Sequence, residues 1–203
     1  MLKYLTGFAV CYYDYHSQIK KSIFSLNYKY SSKGTCFIIS KSGLALCNYH
    51  PLESDPATNK DGVLIKVIAA EQDLDLSLLQ FPQSKSYIPL KITQSNTLKP
   101  GEVLYHYGFA IGSLVGNKGY YQGTDGKYLY ASTEMMHGQS GGPVLTERGE
   151  VVGVCKAHFY CSENKIKECL FHSGPSMYVS SEEVIKFLEK YCEYKEGEWK
   201  IKD

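Results

Sequence analysis

The stretch Gly138-Gln139-Ser140-Gly141-Gly142-Pro143 sets one hydroxyl among three glycines and then enters an apolar run beginning at Val144. A surface turn needs one such residue, or two. Glycine on both sides of a serine permits unusual backbone angles and a close approach by another molecule. That combination suits a nucleophile whose neighbouring N–H groups point at a reacting carbonyl oxygen. A serine used in this way also needs a base, and the base needs a group to orient it.

Two other stretches supply those partners. In "GTCFIISKSGLALCNYHPLE" a hairpin of two apolar strands delivers His50 at the end of the second strand. In "EQDLDLSLLQF" Asp75 stands at the mouth of an apolar run that reads as a buried strand, with Asp73 as the rival acid. A carboxylate there needs a partner, because burying it alone is expensive. An imidazole N–H is a suitable one. Taken singly, each residue has a plainer reading: a packed histidine, a turn-forming aspartate, a ligand-free glycine turn. Their occurrence together, in the order His, Asp, Ser, favours the chemical reading.

A metal site is the other chemistry to weigh. Cys155, His158, Cys161, Cys169 and His172 are zinc-type ligands. Their spacing fits no standard zinc knuckle, so the segment reads as a hairpin with free thiols. Seven cysteines, an odd number, with no export signal point to a reducing, intracellular compartment. The first residues, "MLKYLTGFAVCYYDYH", read as a strand rather than a signal peptide, since the apolar part is short and lacks a small-residue cleavage site.

The elements that must position these residues are mostly strands. Short runs such as "GFAVCYYDY", "GTCFIIS", "GLALCNY", "GVLIKVIAA", "LSLLQF", "EVLYHYGFA", "KYLYAST" and "EVVGVCKAH" alternate with turns rich in Gly, Ser, Asn, Asp and Lys. Many short strands at this spacing indicate a sandwich or barrels. One helix is expected in "SSEEVIKFLEKYCE", with Ser180 or Ser181 as cap and Val184, Ile185, Leu188 and Cys192 on one face. With 22 Lys+Arg against 21 Asp+Glu and no basic block, nothing supports nucleic-acid binding. No stretch approaches the roughly 20 apolar residues of a membrane span.

The four segments around these residues resemble the trypsin/chymotrypsin-fold serine proteases, and among them the HtrA-type protease domain. "GTCFIISKSGLALCNYH" is similar to the block that carries the general base, here His50. "DLDLSLLQF" is similar to the segment of the orienting acid, here Asp75. "LKPGEVLYHYGFAIGS" resembles the opening of the second barrel, and "GQSGGPVLTERGEVVGV" places Ser140 as nucleophile. "SMYVSSEEVIKFLEK" resembles the closing strand and helix. Cys36, Cys47 and Gln139 stand where the family usually has Gly, Thr and Asn or Asp, and Gln139 bears on the oxyanion loop.

The resemblance implies an all-β fold of two packed six-stranded antiparallel barrels with a C-terminal helix. The first barrel would cover about residues 1–97, the second 98–180 and the helix 181–194, with no PDZ module. It implies a serine endopeptidase in which His50, Asp75 and Ser140 form the triad and the N–H groups of Gly138 and Ser140 the oxyanion hole. No metal or cofactor is needed, and the partner is a protein or peptide substrate. Glu134, six residues before Ser140, would lie near the base of the primary specificity pocket. His137, Lys156, Ala157, His158 and Ser176 would border the cleft. The competing reading is a catalytically silent binding or scaffold protein. A processing protease with one narrow target would share the chemistry and differ only in substrate.

Overall fold

A computed structural model of the chain describes residues 17–28, 31–52, 58, 62–83, 86–158 and 175–202. The strand-like run at residues 7–15 and the ligand set Cys161, Cys169 and His172 lie outside the described residues.

Helical residues 17–22 lead into the first lobe. Its strands are β1 (Ile23–Tyr28), β2 (Ser31–Ile38), β3 (Leu44–Cys47), β4 (Lys66–Glu71) and β5 (Leu76–Gln80). They form an antiparallel sheet in the order β1-β2-β3-β5-β4. The second lobe is a closed barrel of β6 (Val103–Ala110), β7 (Ser113–Thr124), β8 (Tyr128–Ala131), β9 (Pro143–Thr146), β10 (Val151–His158) and β11 (Ser176–Ser180). The expected two-lobed β architecture is present. The first lobe differs in having five regular strands among the described residues. On its β2 side the chain returns as an irregular extended stretch, pinned where the Leu90 N–H donates to the Ile38 carbonyl at 2.8 Å.

Side chains of the first lobe alternate between two apolar layers, as the two-residue strand period requires. Cys36, Ile38, Ala45, Cys47 and Leu79 point into the lobe, with Leu26, Ile65 and Phe81. Phe37, Leu44, Leu46, Leu76 and Leu78 point the other way and join Leu145, Val154, Val179, Val184 and Phe187 in a core that spans both lobes and the helix. Both faces of β3 are therefore buried, which is why the sequence there reads as an unbroken apolar run. A third cluster, with Leu104, Leu129, Val144, Val152 and Tyr178, fills the closed barrel. The shared middle layer fixes how the two lobes meet. Each fully buried leucine in it contributes about 1.5–3 kcal/mol.

The late helix covers Ser181–Tyr191, with Glu182 and Glu183 in its first turn and Lys190 in its last. Those charges complement the helix dipole. Val184, Phe187 and Leu188 recur at three- and four-residue spacing and are buried. Ser180 is the capping residue, but its hydroxyl makes no cap bond and donates to the Gly126 carbonyl at 3.1 Å instead. Ser181 Oγ accepts the Ser95 N–H at 2.8 Å, and the Glu182 carboxylate accepts the Ser95 hydroxyl and the Asn96 N–H. The helix stops three residues short of the expected 194. Cys192 turns extended and starts a hairpin, β12 (Cys192–Lys195) with β13 (Glu198–Ile201). Its two-residue turn, Glu196-Gly197, has positive φ at both positions (55° and 81°), the geometry that tight hairpins favour.

Candidate active site

The histidine is placed by the β2–β3 hairpin. The Ile39 N–H donates to the Leu44 carbonyl at 2.8 Å and the Gly43 N–H to the Ser40 carbonyl at 3.1 Å, closing a turn in which Gly43 takes a φ of 93°. The register pairs Cys36 with Cys47, and His50 follows three residues later at the start of a 3-10 turn, His50–Leu52.

Asp75 ends the turn between β4 and β5, where its N–H donates to the Gln72 carbonyl at 3.0 Å. Its φ is +58°, a left-handed conformation that aspartate tolerates better than most residues. The geometry aims the carboxylate back at the hairpin. Asp75 Oδ1 accepts the N–H groups of Tyr49 (3.0 Å) and His50 (2.9 Å), and Oδ2 accepts His50 Nδ1–H at 2.8 Å. Three donors on one carboxylate fix both the rotamer of the acid and the tautomer of the imidazole, leaving Nε2 as the basic nitrogen. The Asp75 side chain is only 13% exposed while that of His50 is 46% exposed, so the carboxylate is sheltered and the imidazole is open to a ligand. Asp73 is exposed, and its backbone carbonyl, not its carboxylate, makes the relevant contact, described below.

Ser140 sits in a tight loop between β8 and β9. The Gln139 N–H donates to the Met136 carbonyl (3.1 Å) and the Gly142 N–H to the Gln139 carbonyl (3.0 Å). Gly141 has a φ of +83°, and a Cβ there would fall 2.3 Å from the Thr35 carbonyl oxygen and 2.8 Å from the Asn48 nitrogen. A Cβ on Gly142 would fall 2.1 Å from the Tyr107 carbonyl oxygen. The glycines after the serine are thus demanded by backbone that presses on the loop from both lobes. That pressure brings Ser140 beside the segment carrying His50: the Thr35 N–H donates to the Ser140 carbonyl at 2.7 Å. Gly138 also has positive φ, 92°. Among the described residues the N–H groups of Gly138 and Ser140 have no backbone acceptor, whereas those of Gln139, Gly141 and Gly142 do.

Gln139 is fully buried, its Oε1 accepting the Met136 N–H at 2.7 Å. It packs on Gly108, where a Cβ would come within 2.8 Å of it. The longer amide therefore braces the loop from behind.

The residues expected around the cleft fare differently. Glu134 is exposed, and its carbonyl accepts Asn117 Nδ2–H at 2.8 Å. His137 is exposed. Ser176 is buried, with its hydroxyl donating to the Thr133 carbonyl, so it shapes a wall rather than offering a free donor. Thr133 in turn shares a hydrogen bond with the Tyr178 hydroxyl, and burial pushes that phenol well up. Lys156 reaches across the lobe boundary: its ammonium donates to the Asp73 carbonyl and to Tyr128 Oη, each at 3.1 Å, and lies 4.9 Å from the centre of the Tyr128 ring. Ala157 and His158 close β10.

Sequence reasoning missed Asn48, a buried amide whose Nδ2–H donates to the Asp75 carbonyl at 2.8 Å. A polar residue at the end of an apolar strand, two before the histidine, is the signal that was there to be read. The four described cysteines, Cys36, Cys47, Cys155 and Cys192, are free and buried. Burial pushes the Cys155 thiol up and the nearby Asp75 charge adds to it, so this thiol is no nucleophile. Among the described residues no group of three or more His, Cys, Asp or Glu side chains could hold a metal ion.

With this architecture in view, comparison places the chain. Residues 34–154, more than half of its length, match the trypsin-like peptidase domain family. The chain belongs to that family. It is 24% identical over 206 aligned residues to human serine protease HTRA3, covering 90% of this chain and 43% of that protein. It is 26% identical over 181 residues to mouse serine protease HTRA4, covering 80% of this chain and 35% of the relative. The chain thus spans less than half the length of these relatives. Among solved structures it superposes on the serine endoprotease from Yersinia pestis with a TM-score of 0.69 at 18% identity, covering 87% of this chain and 65% of the other. The HtrA-type protease AlgW, solved with a decapeptide, gives 0.73 at 15% identity, covering 88% and 66%. The fold is that of the HtrA proteases.

Proposed function

We propose that the chain is a serine endopeptidase that cleaves protein or peptide substrates through His50, Asp75 and Ser140. The observation that carries this reading is the Asp75 carboxylate, held by two backbone N–H groups and accepting His50 Nδ1–H at 2.8 Å. The Ser140 loop, packed against the same hairpin, supports it.

On this reading Ser140 Oγ attacks the scissile carbonyl carbon as its proton passes to His50 Nε2. Asp75 keeps the imidazole in the tautomer that can accept, and stabilises the imidazolium that forms. The carbonyl oxygen, now negative, takes hydrogen bonds from the Gly138 and Ser140 N–H groups, each donor being worth about 3–4 kcal/mol in the transition state. The C–N bond breaks as His50 returns its proton to the leaving amine, leaving an ester on Ser140. Water then attacks the ester with His50 again as base, releasing the acid and restoring the serine. Family membership supports the class of reaction, and the decapeptide in the AlgW structure supports a peptide as ligand.

Reaction with a fluorophosphonate probe, run beside hydrolysis of unfolded casein, tests the proposal. The native chain should label once and hydrolyse casein, and Ser140→Ala should do neither while keeping its circular dichroism spectrum. A native chain inert to the probe would instead support the catalytically silent scaffold.

A further inference from the structure

From the geometry around Thr35 we infer that its hydroxyl is a positioning group for the nucleophile loop, latching that loop across the boundary between the lobes. The inference rests on the serine endopeptidase reading and adds to it a residue outside the triad and the oxyanion donors.

Thr35 lies on β2, one lobe away from Ser140 in the chain, and is fully buried. Its hydroxyl donates to the Gly138 carbonyl at 2.8 Å and accepts the Phe109 N–H of β6 at 2.8 Å. Its own N–H donates to the Ser140 carbonyl at 2.7 Å. Its carbonyl oxygen lies where a Cβ on Gly141 would collide, at 2.3 Å. One residue of the first lobe thus touches three successive parts of the nucleophile loop and the β6 strand that supports it.

The hydroxyl is suited to this use. A threonine hydroxyl has one donor and can accept as well, and here both capacities are taken by backbone groups of the second lobe. Fixing the Gly138 carbonyl sets the peptide plane between Gly138 and Gln139, while the bond to the Ser140 carbonyl sets the plane on the other side of the nucleophile. The turn between the two proposed oxyanion donors is therefore held at both ends from the opposite lobe. The neighbouring residue Cys36 pairs in register with Cys47, three residues before His50. Thr35 in this way ties the loop of the proposed nucleophile to the hairpin of the proposed base. A shift of about 1 Å in such a constellation costs on the order of a hundredfold in rate.

Thr35→Val keeps the shape and removes the hydroxyl; Thr35→Ser keeps the hydroxyl. The assay is steady-state cleavage of a fluorogenic casein-derived peptide, with thermal unfolding measured on the same samples. A wild type that labels with the fluorophosphonate probe and cleaves the peptide is the precondition, and a wild type inert to the probe would sink the endopeptidase reading and not the latch. Given an active wild type, Thr35→Val should lower kcat by about 10- to 100-fold with KM within about threefold, and Thr35→Ser should restore kcat to within about threefold. Thr35→Ala removes the same hydroxyl with less bulk, and carries the same prediction if the valine variant does not fold. A folded Thr35→Val or Thr35→Ala protein with wild-type kcat would overturn the inference. So would a serine variant as slow as the valine one, or a loss confined to KM.

Discussion

Two glycines with nearly the same backbone angle allow the meeting of the lobes at Ser140 to be measured. Gly141 has a φ of +83° and Gly197, in the β12–β13 turn, a φ of +81°. A Cβ at Gly197 meets nothing within 4 Å, whereas at Gly141 it meets the Thr35 oxygen at 2.3 Å, the Asn48 nitrogen at 2.8 Å and the Cys47 Cα at 3.3 Å. All three are backbone atoms and none can swing aside. Alanine at either site pays the left-handed strain, about 1–2 kcal/mol. At Gly141 it also forces apart two packed segments, which adds about 1–3 kcal/mol. Gly197→Ala should therefore lose about 1–2 kcal/mol and Gly141→Ala about 2–5 kcal/mol. Urea unfolding of the two variants measures that difference with the φ term cancelled. Fluorophosphonate labelling supplies the functional half: Gly197→Ala should label at the wild-type rate, and Gly141→Ala about a hundredfold more slowly, because opening the contact moves Ser140 from His50. Equal losses of stability in the two variants, with equal labelling, would show that the lobes do not meet at this loop as described.

Asp75→Asn should lower kcat by about a thousand- to ten-thousandfold by favouring the wrong imidazole tautomer, and Asp73→Asn should leave it near wild type; steady-state kinetics on both decides between the acids. Burial raises the Glu182 carboxyl, but hydrogen bonds from Ser95 and from backbone N–H groups outweigh it and hold it below its ordinary 4.5. A lowered native pKa means stability present above 4.5 and lost as pH falls through the native value. Glu182→Gln should therefore be less stable than wild type by about 1 kcal/mol near neutrality, with the gap closing below pH 4.5 in urea titrations; a pH-independent gap would contradict the linkage. If Glu134 reads the residue before the scissile bond, its exposure limits the effect, since an exposed ion pair is worth about 0.2–1 kcal/mol. A basic preference of about two- to fivefold over leucine, absent in Glu134→Ala, is the expected profile of peptide-library cleavage; identical profiles would place Glu134 outside recognition.

The strands that hold the site were legible because both of their faces are buried. β3 and β5 are runs of apolar residues with a side chain of the proposed triad just beyond one end. The strand β7 was not legible: "SLVGNKGYYQGT" has three internal glycines and no apolar alternation, and most of its residues are exposed or half-buried. It is a strand because β6 and β8 pair with it along both edges. Pairing of that kind is a tertiary fact that local propensity does not carry. The hairpin after the helix was missed for a similar reason. Cys192 continues the helical apolar period, but Trp199, buried in the shared core, draws the chain into a turn instead. Within the candidate site, the residue types that can do acid–base and nucleophilic chemistry stand out by kind. Thr35 does not, because it acts through backbone groups distant in the chain, and the position of Asn48 at the end of an apolar strand marked it only as a polar residue to be satisfied.

The buried thiols have a use unrelated to catalysis. Cys36 and Cys47 line the inside of the first lobe, Cys155 lines the second, and Cys192 lies at the base of the last hairpin. Burial pushes each of these thiols up, so an alkylating reagent at neutral pH meets almost no thiolate while the chain is closed. Modification must wait for the surrounding element to open. With Cys11, Cys161 and Cys169 replaced by serine, timed alkylation followed by peptide mapping would clock the opening of each lobe separately, without any added label. If the lobes come apart before either one unfolds, the clocks of Cys36, Cys47 and Cys155 will still read closed while labelling of Ser140 has already stopped.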